Sequence, residues 1–302
     1  MSFLKDLKIK IYHFLLNRMR KKAGLSYCSI QISLGKIVYL DNKKIHTSYD
    51  EAIIMVHGLA SNKDKWLKLS QQLKNKYRII LPDLPGHGDS VQELDFDYSI
   101  NAQAEHLAEF IKALNLDKIH IIGNSLGGAV VTRFTYKYPK LVHSLILMNS
   151  YGALKTKSHL YHMAQKLGYN PIIKVHSVED YHRMMKIAMV KPSYIPNFII
   201  EILVERMIER FKINEKIFFA SYKNSNLISL LPHIKQPVLL IWGEKDKILH
   251  LDDSRLFRQE IPNCKRIILK DVGHVPMIEC PKLTAEYVDE FLHFHIPIEK
   301  CF

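Results

Sequence analysis

Short apolar runs alternate with amphipathic stretches through the first half of the chain. Residues 52–56 and 145–148 are apolar throughout, which is typical of strands buried on both faces of a parallel sheet. Residues 101–114 place their apolar side chains at helical spacing on one stripe. This alternation predicts right-handed crossovers and an α/β fold, in which helices flank a mostly parallel central sheet.

The alternation stops between residues 151 and 231, where helical patterns replace strand-like runs. Residues 177–180 have the sequence of a capping box, which predicts a helix over 181–190, and a second apolar stripe runs from Ile199 to Phe211. We therefore expect a helical cap inserted after the sixth strand. The predicted organisation is a basic amphipathic segment (1–25), the first part of the core (26–150), the cap (151–231) and the second part of the core (232–302).

The first 22 residues combine apolar positions at helical spacing with positive charge. Seven Lys and Arg residues against Asp6 alone give this segment a charge of +6, out of +13 for the chain. Charge interrupts the apolar runs too often for a membrane span or a signal peptide. Two interpretations remain open: peripheral contact with an anionic membrane surface, or packing of the apolar face on the body of the protein. The apolar positions are Leu4, Leu7, Ile11, Phe14 and Leu15.

Composition argues against several other classes of protein. The remaining positive charge is spread along the chain without a zinc finger, helix-turn-helix or RNA-binding signature, so we do not expect nucleic-acid binding. The loops contain no Walker motif, Rossmann fingerprint or His/Cys cluster, so no cofactor or metal is expected. Scattered cysteines favour free thiols in a reducing compartment, and we expect a cytoplasmic protein whose membrane contact is at most peripheral. The cysteines are Cys28, Cys264, Cys280 and Cys301.

The candidate chemistry centres on the pentapeptide Gly123-Asn-Ser125-Leu-Gly127. Residues that favour β-structure precede it and a helical pattern follows, which is the context of a nucleophile elbow. The two glycines leave room for Ser125 to stand exposed in a tight, strained turn. The alternative interpretation is a Gly/Ser turn without a chemical role, because such pentapeptides also arise by chance.

A serine nucleophile needs a base within hydrogen-bond reach and a third group that orients the base. In this architecture the acid and then the histidine follow the serine in sequence, on loops after late strands. Asp246 follows one late strand and His274 the next, so Asp246 is expected to orient His274 for proton transfer from Ser125. The weaker candidates are Glu244 and Asp252 as acids and His250 as base.

Two backbone amides are candidates for the oxyanion hole that a tetrahedral intermediate requires. The amide of Leu126 directly follows the nucleophile, and the amide of Leu59 lies in the loop after an earlier strand. One such donor is typically worth about 10²–10³ in rate. His57 and His87 lie beside glycines in loops at the same edge of the sheet, and we interpret them as residues that brace these loops.

The chain resembles the α/β-hydrolase superfamily. Within it, the loop that begins at His57 is similar to that of the monoacylglycerol lipases of the α/β-hydrolase-domain group and of related bacterial lipases. The resemblance implies hydrolysis of a carboxylic ester, an acylglycerol of medium or long chain, through an acyl-enzyme intermediate. The motifs that carry it are His57-Gly58, Asp83-x-x-Gly86-x-Gly88, Gly123-x-Ser125-x-Gly127, Gly243-x-x-Asp246 and Gly273-His274.

Two other functions remain open at this stage. The carbon–carbon bond hydrolases of ring-cleavage products also carry Gly-Asn-Ser-x-Gly-Gly, but that branch has a glycine-rich oxyanion loop, and the extra glycines are missing after His57. An alternative of another class is a non-catalytic binding protein with the same fold. The complete set of triad candidates, Ser125, Asp246 and His274, argues against that alternative.

Overall fold

An eight-stranded sheet forms the centre of the computed structural model, which describes residues 2–43, 52–153, 156–223 and 226–294. The strand order is β1-β2-β4-β3-β5-β6-β7-β8, antiparallel from β1 to β4 and parallel from β4 to β8. The predicted α/β architecture with a mostly parallel sheet is therefore confirmed. The strands are β1 (Ser26–Ile32), β2 (Gly35–Asp41), β3 (Ala52–Val56), β4 (Arg78–Pro82), β5 (Ile119–Ser125), β6 (Val142–Ser150), β7 (Val238–Gly243) and β8 (Cys264–Leu269).

Two apolar cores, one on each face of the sheet, explain the continuous apolar strands. In β3, Ala52, Ile54 and Val56 enter one core, whereas Ile53 and Met55 enter the other, because successive side chains point to opposite faces. Helices α3, α4 and α9 cover the first core, and α2 and α11 cover the second. The helices are α1 (Ser2–Lys22), α2 (Leu67–Leu73), α3 (Ile100–Ala113), α4 (Leu126–Lys137), α5 (His159–Leu167), α6 (Val178–Ala188), α7 (Asn197–Glu209), α8 (Phe211–Lys223), α9 (Leu251–Glu260), α10 (Pro276–Glu279) and α11 (Pro281–Phe294).

Four helices, α5 to α8, form the cap between β6 and β7. The Ser177 hydroxyl accepts a hydrogen bond from the Asp180 amide at 3.1 Å, so the predicted cap residue starts α6, although the helix begins at Val178 rather than at 181. The second apolar stripe is divided between two helices, because α7 ends at Glu209 and α8 begins at Phe211. The cap has a small apolar core of its own, made of Val175, Tyr181, Met185, Met189, Ile200 and Val204.

The predicted N-terminal helix is present as α1, but its apolar stripe does not pack on the body of the protein. Five side chains of the stripe are 37–66% exposed, so the packing interpretation is wrong for this face: Leu4, Leu7, Ile11, Phe14 and Leu15. The opposite side of α1 contacts the protein through Arg20, whose guanidinium binds both carboxylate oxygens of Asp64 at 2.7 Å. Lys5 and Lys8 form exposed ion pairs with Glu205 and Glu201 of α7. None of the described helices, α1 included, has the length and apolar character needed to span a bilayer.

Candidate active site

Ser125 lies where the chain turns sharply from β5 into α4. Its φ of +56° is in the left-handed region, which side chains other than glycine rarely adopt. A Cβ atom added to Gly127 would lie 2.3 Å from the Val56 carbonyl oxygen, and one added to Gly123 would lie 2.5 Å from the Gly127 carbonyl oxygen. Glycine is therefore required at both positions for the chain to make this turn, as expected of a nucleophile elbow.

His274 and Asp246 are in direct contact at the same edge of the sheet. Nδ1 of His274 lies 2.9 Å from Oδ2 of Asp246, whose carboxylate is completely buried. That carboxylate also accepts hydrogen bonds from the amides of Ile248 (2.8 Å) and Leu249 (3.1 Å) and from the Asn149 side chain (2.7 Å). Because Nδ1 is occupied by the carboxylate, Nε2 is the ring nitrogen left for proton transfer.

The weaker acid and base candidates are engaged elsewhere. Glu244 accepts a hydrogen bond from the Asp271 amide on the surface, and Asp252 forms an exposed ion pair with Arg255. Nδ1 of His250 accepts the Asp252 amide at 3.2 Å and caps the N-terminus of α9. Among the candidate acids, Asp246 is the one whose carboxylate contacts the predicted base.

One cavity of about 1040 Å³ brings the predicted site residues together with the cap and α1. Ser125, His274 and Leu59 all line it. The cap contributes four methionines to its wall, Met184, Met185, Met189 and Met207. Helix α1 contributes Tyr12, His13, Leu16, Asn17 and Arg20. Access to Ser125 is therefore bounded by three parts of the chain that are far apart in sequence.

The two histidines interpreted as loop-bracing residues are buried and serve that role. In His57, Nδ1 donates to the Gly58 carbonyl at 2.9 Å, while Nε2 accepts the Leu84 amide at 3.1 Å. This requires a neutral ring, and burial lowers the pKa of His57 to about 4. The ring of His87 packs edge-on against it, with centroids 4.9 Å apart, and burial lowers the pKa of His87 as well.

The segments that carry the two candidate oxyanion amides both adjoin the nucleophile. Leu126 is the first residue of α4, where backbone amides lack partners within the helix. In the other segment, a Cβ atom added to Gly58 would lie 3.0 Å from the Cβ of Ser125, so this loop passes directly against the serine. The next residue, Leu59, lines the cavity. The role of these amides as oxyanion donors stays a prediction.

A buried ion pair behind the oxyanion loop was not predicted from the sequence. Lys63 is 1% exposed, and its ammonium lies 2.6 Å from Asp83 and 2.7 Å from Asp89. The Asp83 carboxylate also accepts the backbone amides of Lys63 (2.7 Å) and Asp89 (2.8 Å). A Cβ atom at Gly88 would lie 2.0 Å from this carboxylate. The motif Asp83-x-x-Gly-x-Gly88 thus forms the binding site of the Lys63 ammonium. This motif is the sequence feature from which the buried ion pair could have been predicted.

Two asparagines that donate hydrogen bonds around the predicted triad were not predicted from the sequence. The Asn149 side chain donates to Oδ2 of Asp246 and, at 3.3 Å, to the Gly273 carbonyl. Asn124 donates to the carbonyls of Met148 (2.9 Å) and His274 (3.2 Å). Their position at the carboxyl ends of adjacent parallel strands is the signal that would have identified them.

The loop that carries His274 is bonded directly to the cap. The His274 amide donates to the carbonyl of Ala188, the last residue of α6, at 2.8 Å. The carboxylate of Glu279 accepts the amide of Gly273 at 2.8 Å and that of Val190 at 2.7 Å. The cap therefore helps to fix the position of the predicted base.

The cysteines do not form a second candidate reactive site within the described residues. Cys28, Cys264 and Cys280 are free cysteines, and Cys301 lies outside the described residues. Burial raises the pKa of Cys264 to about 12, which leaves its thiol protonated and unreactive at neutral pH. Within the described ranges, no group of three or more His, Cys, Asp or Glu side chains is placed to hold a metal ion.

Comparison with known proteins places this geometry in a family. A family model described as alpha/beta hydrolase fold matches residues 51–171 and 211–281. Lipase 1 of Psychrobacter immobilis is 32% identical over 276 residues, 90% of this chain and 86% of the lipase. Monoacylglycerol lipase ABHD6 of Homo sapiens is 27% identical over 252 residues, 80% of this chain and 75% of that protein. The crystal structure of a membrane phospholipase A matches with a TM-score of 0.90 and 29% identity, covering 96% of this chain and 93% of the phospholipase. The chain therefore belongs to the α/β-hydrolase fold family.

Proposed function

We propose that the protein is a serine hydrolase of carboxylic esters, a monoacylglycerol lipase or carboxylesterase, with Ser125, Asp246 and His274 as its catalytic triad. The observation that carries the proposal is the 2.9 Å contact between His274 Nδ1 and the buried Asp246 carboxylate. The cavity lined by His274 also contains the strained serine. The names of the relatives, lipase and monoacylglycerol lipase, support the same class of reaction.

In the proposed reaction, Oγ of Ser125 attacks the ester carbonyl while Nε2 of His274 takes the hydroxyl proton. The backbone amides of Leu59 and Leu126 hydrogen-bond the oxyanion of the tetrahedral intermediate. The intermediate then collapses, the alcohol leaves with the proton from His274, and the acyl group stays on the serine. A water molecule, deprotonated by the same imidazole, attacks the acyl-enzyme to give a second tetrahedral intermediate. This intermediate collapses, the carboxylic acid leaves, and the imidazolium returns its proton to Oγ of Ser125. Asp246 stabilises the imidazolium that forms in each half of the reaction.

The cavity wall supports an acylglycerol substrate of medium or long chain. Methionine side chains are flexible and polarizable, so a wall that contains four of them adapts to acyl chains of different length and bend. The methionines lie on the cap, and Leu203 and Ile278 extend the same apolar surface. We assign this wall to the acyl chain and the remaining, more polar part of the cavity to the alcohol portion of the ester.

Helix α1 supports peripheral contact with an anionic membrane. Its exposed apolar stripe is accompanied by four exposed cationic side chains, Lys10, Arg18, Lys21 and Lys22. An amphipathic helix of this kind inserts its apolar face at the level of the lipid headgroups, and each nearby cation contributes about 1 kcal/mol on an anionic surface. Since the opposite side of α1 lines the cavity, such contact would bring the site close to its lipid substrates.

A fluorophosphonate probe tests the proposed nucleophile, because only an activated serine reacts with it. We expect the probe to label the wild-type protein and not Ser125→Ala. Turnover of monoacylglycerols and of p-nitrophenyl esters by Ser125→Ala should fall to the residual level of roughly 10³–10⁴ over water. Ester turnover by Ser125→Ala near that of the wild type would refute the assignment. Faster turnover of a ring-cleavage dienone acid than of any ester would favour the carbon–carbon hydrolase alternative.

A further inference from the structure

Six lysine and arginine side chains line the cavity, and four of them are held by other groups of the protein. Arg20 binds both oxygens of Asp64 at 2.7 Å, with both side chains largely buried. Lys63 is held between Asp83 and Asp89 at 2.6 and 2.7 Å. These cations are neutralised within the protein, so they have little capacity to bind an anionic ligand.

The two arginines on the cap side are also engaged by the protein. Arg210 donates to the carbonyl oxygens of Gly88 at 2.9 Å and Gly86 at 3.0 Å. The guanidinium of Arg206 lies over the ring of Tyr12, 4.9 Å from its centroid. Both groups hold segments of the structure together and are therefore fixed in position.

Lys65 differs from these residues, because the described part of the chain provides no hydrogen bond or ion pair to its ammonium group. It lines the cavity, and its residue is partly buried. The neighbouring Asp64 is the charge that favours the ammonium form, but Arg20 occupies both oxygens of that carboxylate. Burial dominates and lowers the pKa of Lys65. Lys65 thus places a partly buried ammonium group on the wall of the cavity, without an ion-paired or hydrogen-bonded partner among the described residues.

Lys65 lies near a residue of the proposed reaction in sequence and lines the same cavity. Lys65 follows Leu59, a proposed oxyanion donor, by six residues, and both residues line the cavity that contains Ser125. The methionine-rich wall suits an apolar acyl chain, so an anion near Lys65 would belong to the alcohol portion of the ester.

We propose that Lys65 is a specificity-determining residue, which selects esters whose alcohol portion carries an anionic phosphate. The proposal rests on the proposed ester hydrolysis at Ser125. Binding of the phosphate supplies the counterion that the protein does not provide, so the cost of holding a desolvated ammonium is recovered only with such a substrate. A neutral monoacylglycerol leaves the charge of Lys65 uncompensated.

The test compares two substrates with one acyl chain, octanoyl glycerol and octanoyl glycerol phosphate, both kept below the concentration at which they form micelles. We expect Lys65→Met to lower kcat/KM for the phosphate ester by about tenfold to a hundredfold, the range for a hydrogen bond to a charged group. Turnover of octanoyl glycerol should stay equal or rise. Lys65→Arg keeps the charge and should retain most of the preference.

Two outcomes would overturn the proposal. One is an equal loss for both substrates in Lys65→Met, which would show that the side chain supports the cavity and not specificity. The other is an equal loss of the preference for the phosphate ester in Lys212→Met. Lys212 is an exposed lysine on the same cavity, so this result would show that diffuse positive charge explains the preference. Labelling by fluorophosphonate and turnover of p-nitrophenyl butyrate report the serine chemistry independently, so their loss would refute the proposed function instead.

Discussion

Replacing Lys63 by methionine removes the cation from a completely buried ion pair while keeping most of the side-chain volume. The Asp83 carboxylate is 0% exposed, and after the substitution it keeps only the two backbone amides as donors. Breaking a buried pair in this way costs about 3–5 kcal/mol, because an uncompensated charge remains in the interior. Urea unfolding should show a loss of this size in the free energy of unfolding at pH 7.

The pH dependence of that loss gives a second measure of the same cause. Lys63 lowers the pKa of Asp83 and burial raises it, so without Lys63 the pKa in the folded protein rises further above its unfolded value of about 3.9. The folded variant then binds more protons than its unfolded chain between these two pKa values. Its stability therefore increases as the pH falls through that window, by about 1.4 kcal/mol for each unit of difference. The deficit relative to wild type should shrink on acidification.

A matched control separates burial from charge. Lys76→Met removes one ion pair on the surface, where the lysine side chain is 63% exposed, and should cost about 0–1 kcal/mol. The reasoning fails if Lys63→Met is no more destabilising than Lys76→Met, or if its deficit is the same at pH 5 as at pH 7. A deficit that grows on acidification would contradict it as well.

Two further substitutions test the support of the triad and the role of α1. Glycine in Asn149→Gly tolerates the φ of +45° at this position, but the substitution removes the side-chain donor 2.7 Å from Asp246. We expect kcat for an ester to fall about tenfold with KM unchanged. An unchanged kcat would exclude a positioning role for Asn149. Leu7→Asp combined with Phe14→Asp places charge on the exposed stripe and should abolish cosedimentation with anionic liposomes, whereas Leu283→Asp, on an exposed part of α11, should have no effect. Equal binding by the stripe variant and by wild type would contradict membrane contact through α1.

The periodicity of apolar residues predicted those helices and strands whose burial is reflected in their own sequence. Residues 52–56 were predicted as a buried strand and form β3, because a strand covered on both faces needs apolar side chains at every position. The division between α7 and α8 was not predicted, since the apolar stripe continues across it. Arg210 lies at that division, and its guanidinium bonds the carbonyls of Gly86 and Gly88, more than a hundred residues earlier in the chain. Such a long-range contact leaves no trace in the local pattern.

The same distinction applies to the site. Ser125, Asp246 and His274 were predicted because the chemistry needs particular residue types at the ends of particular strands. Asn149 was not predicted as a supporting residue, because its role as a donor to Asp246 depends on two strand ends being adjacent in the sheet. Glu279 was not predicted, because its role depends on contacts with two segments that are far apart in sequence. Its carboxylate accepts hydrogen bonds from backbone amides of the histidine loop and of the cap. The contacts of Glu279, in contrast to those of the asparagines at the strand ends, become visible only when the tertiary structure is known.

The contacts on the two sides of the cavity differ in kind, so opening of each side would have a different effect on the predicted base. A cap that swung away as one unit would break the backbone bond from His274 to Ala188 and the bond from the Val190 amide to Glu279, and so remove the support that the cap gives to the predicted base. Helix α1 is joined to α7 by two exposed ion pairs of lysine and glutamate, each worth about 0–1 kcal/mol, and by Arg206, whose guanidinium lies over the ring of Tyr12 and 3.2 Å from Nε2 of His13. Separation of α1 from α7 breaks side-chain contacts only, and it leaves the bonds of the His274 loop, including the contact between His274 and Asp246, intact.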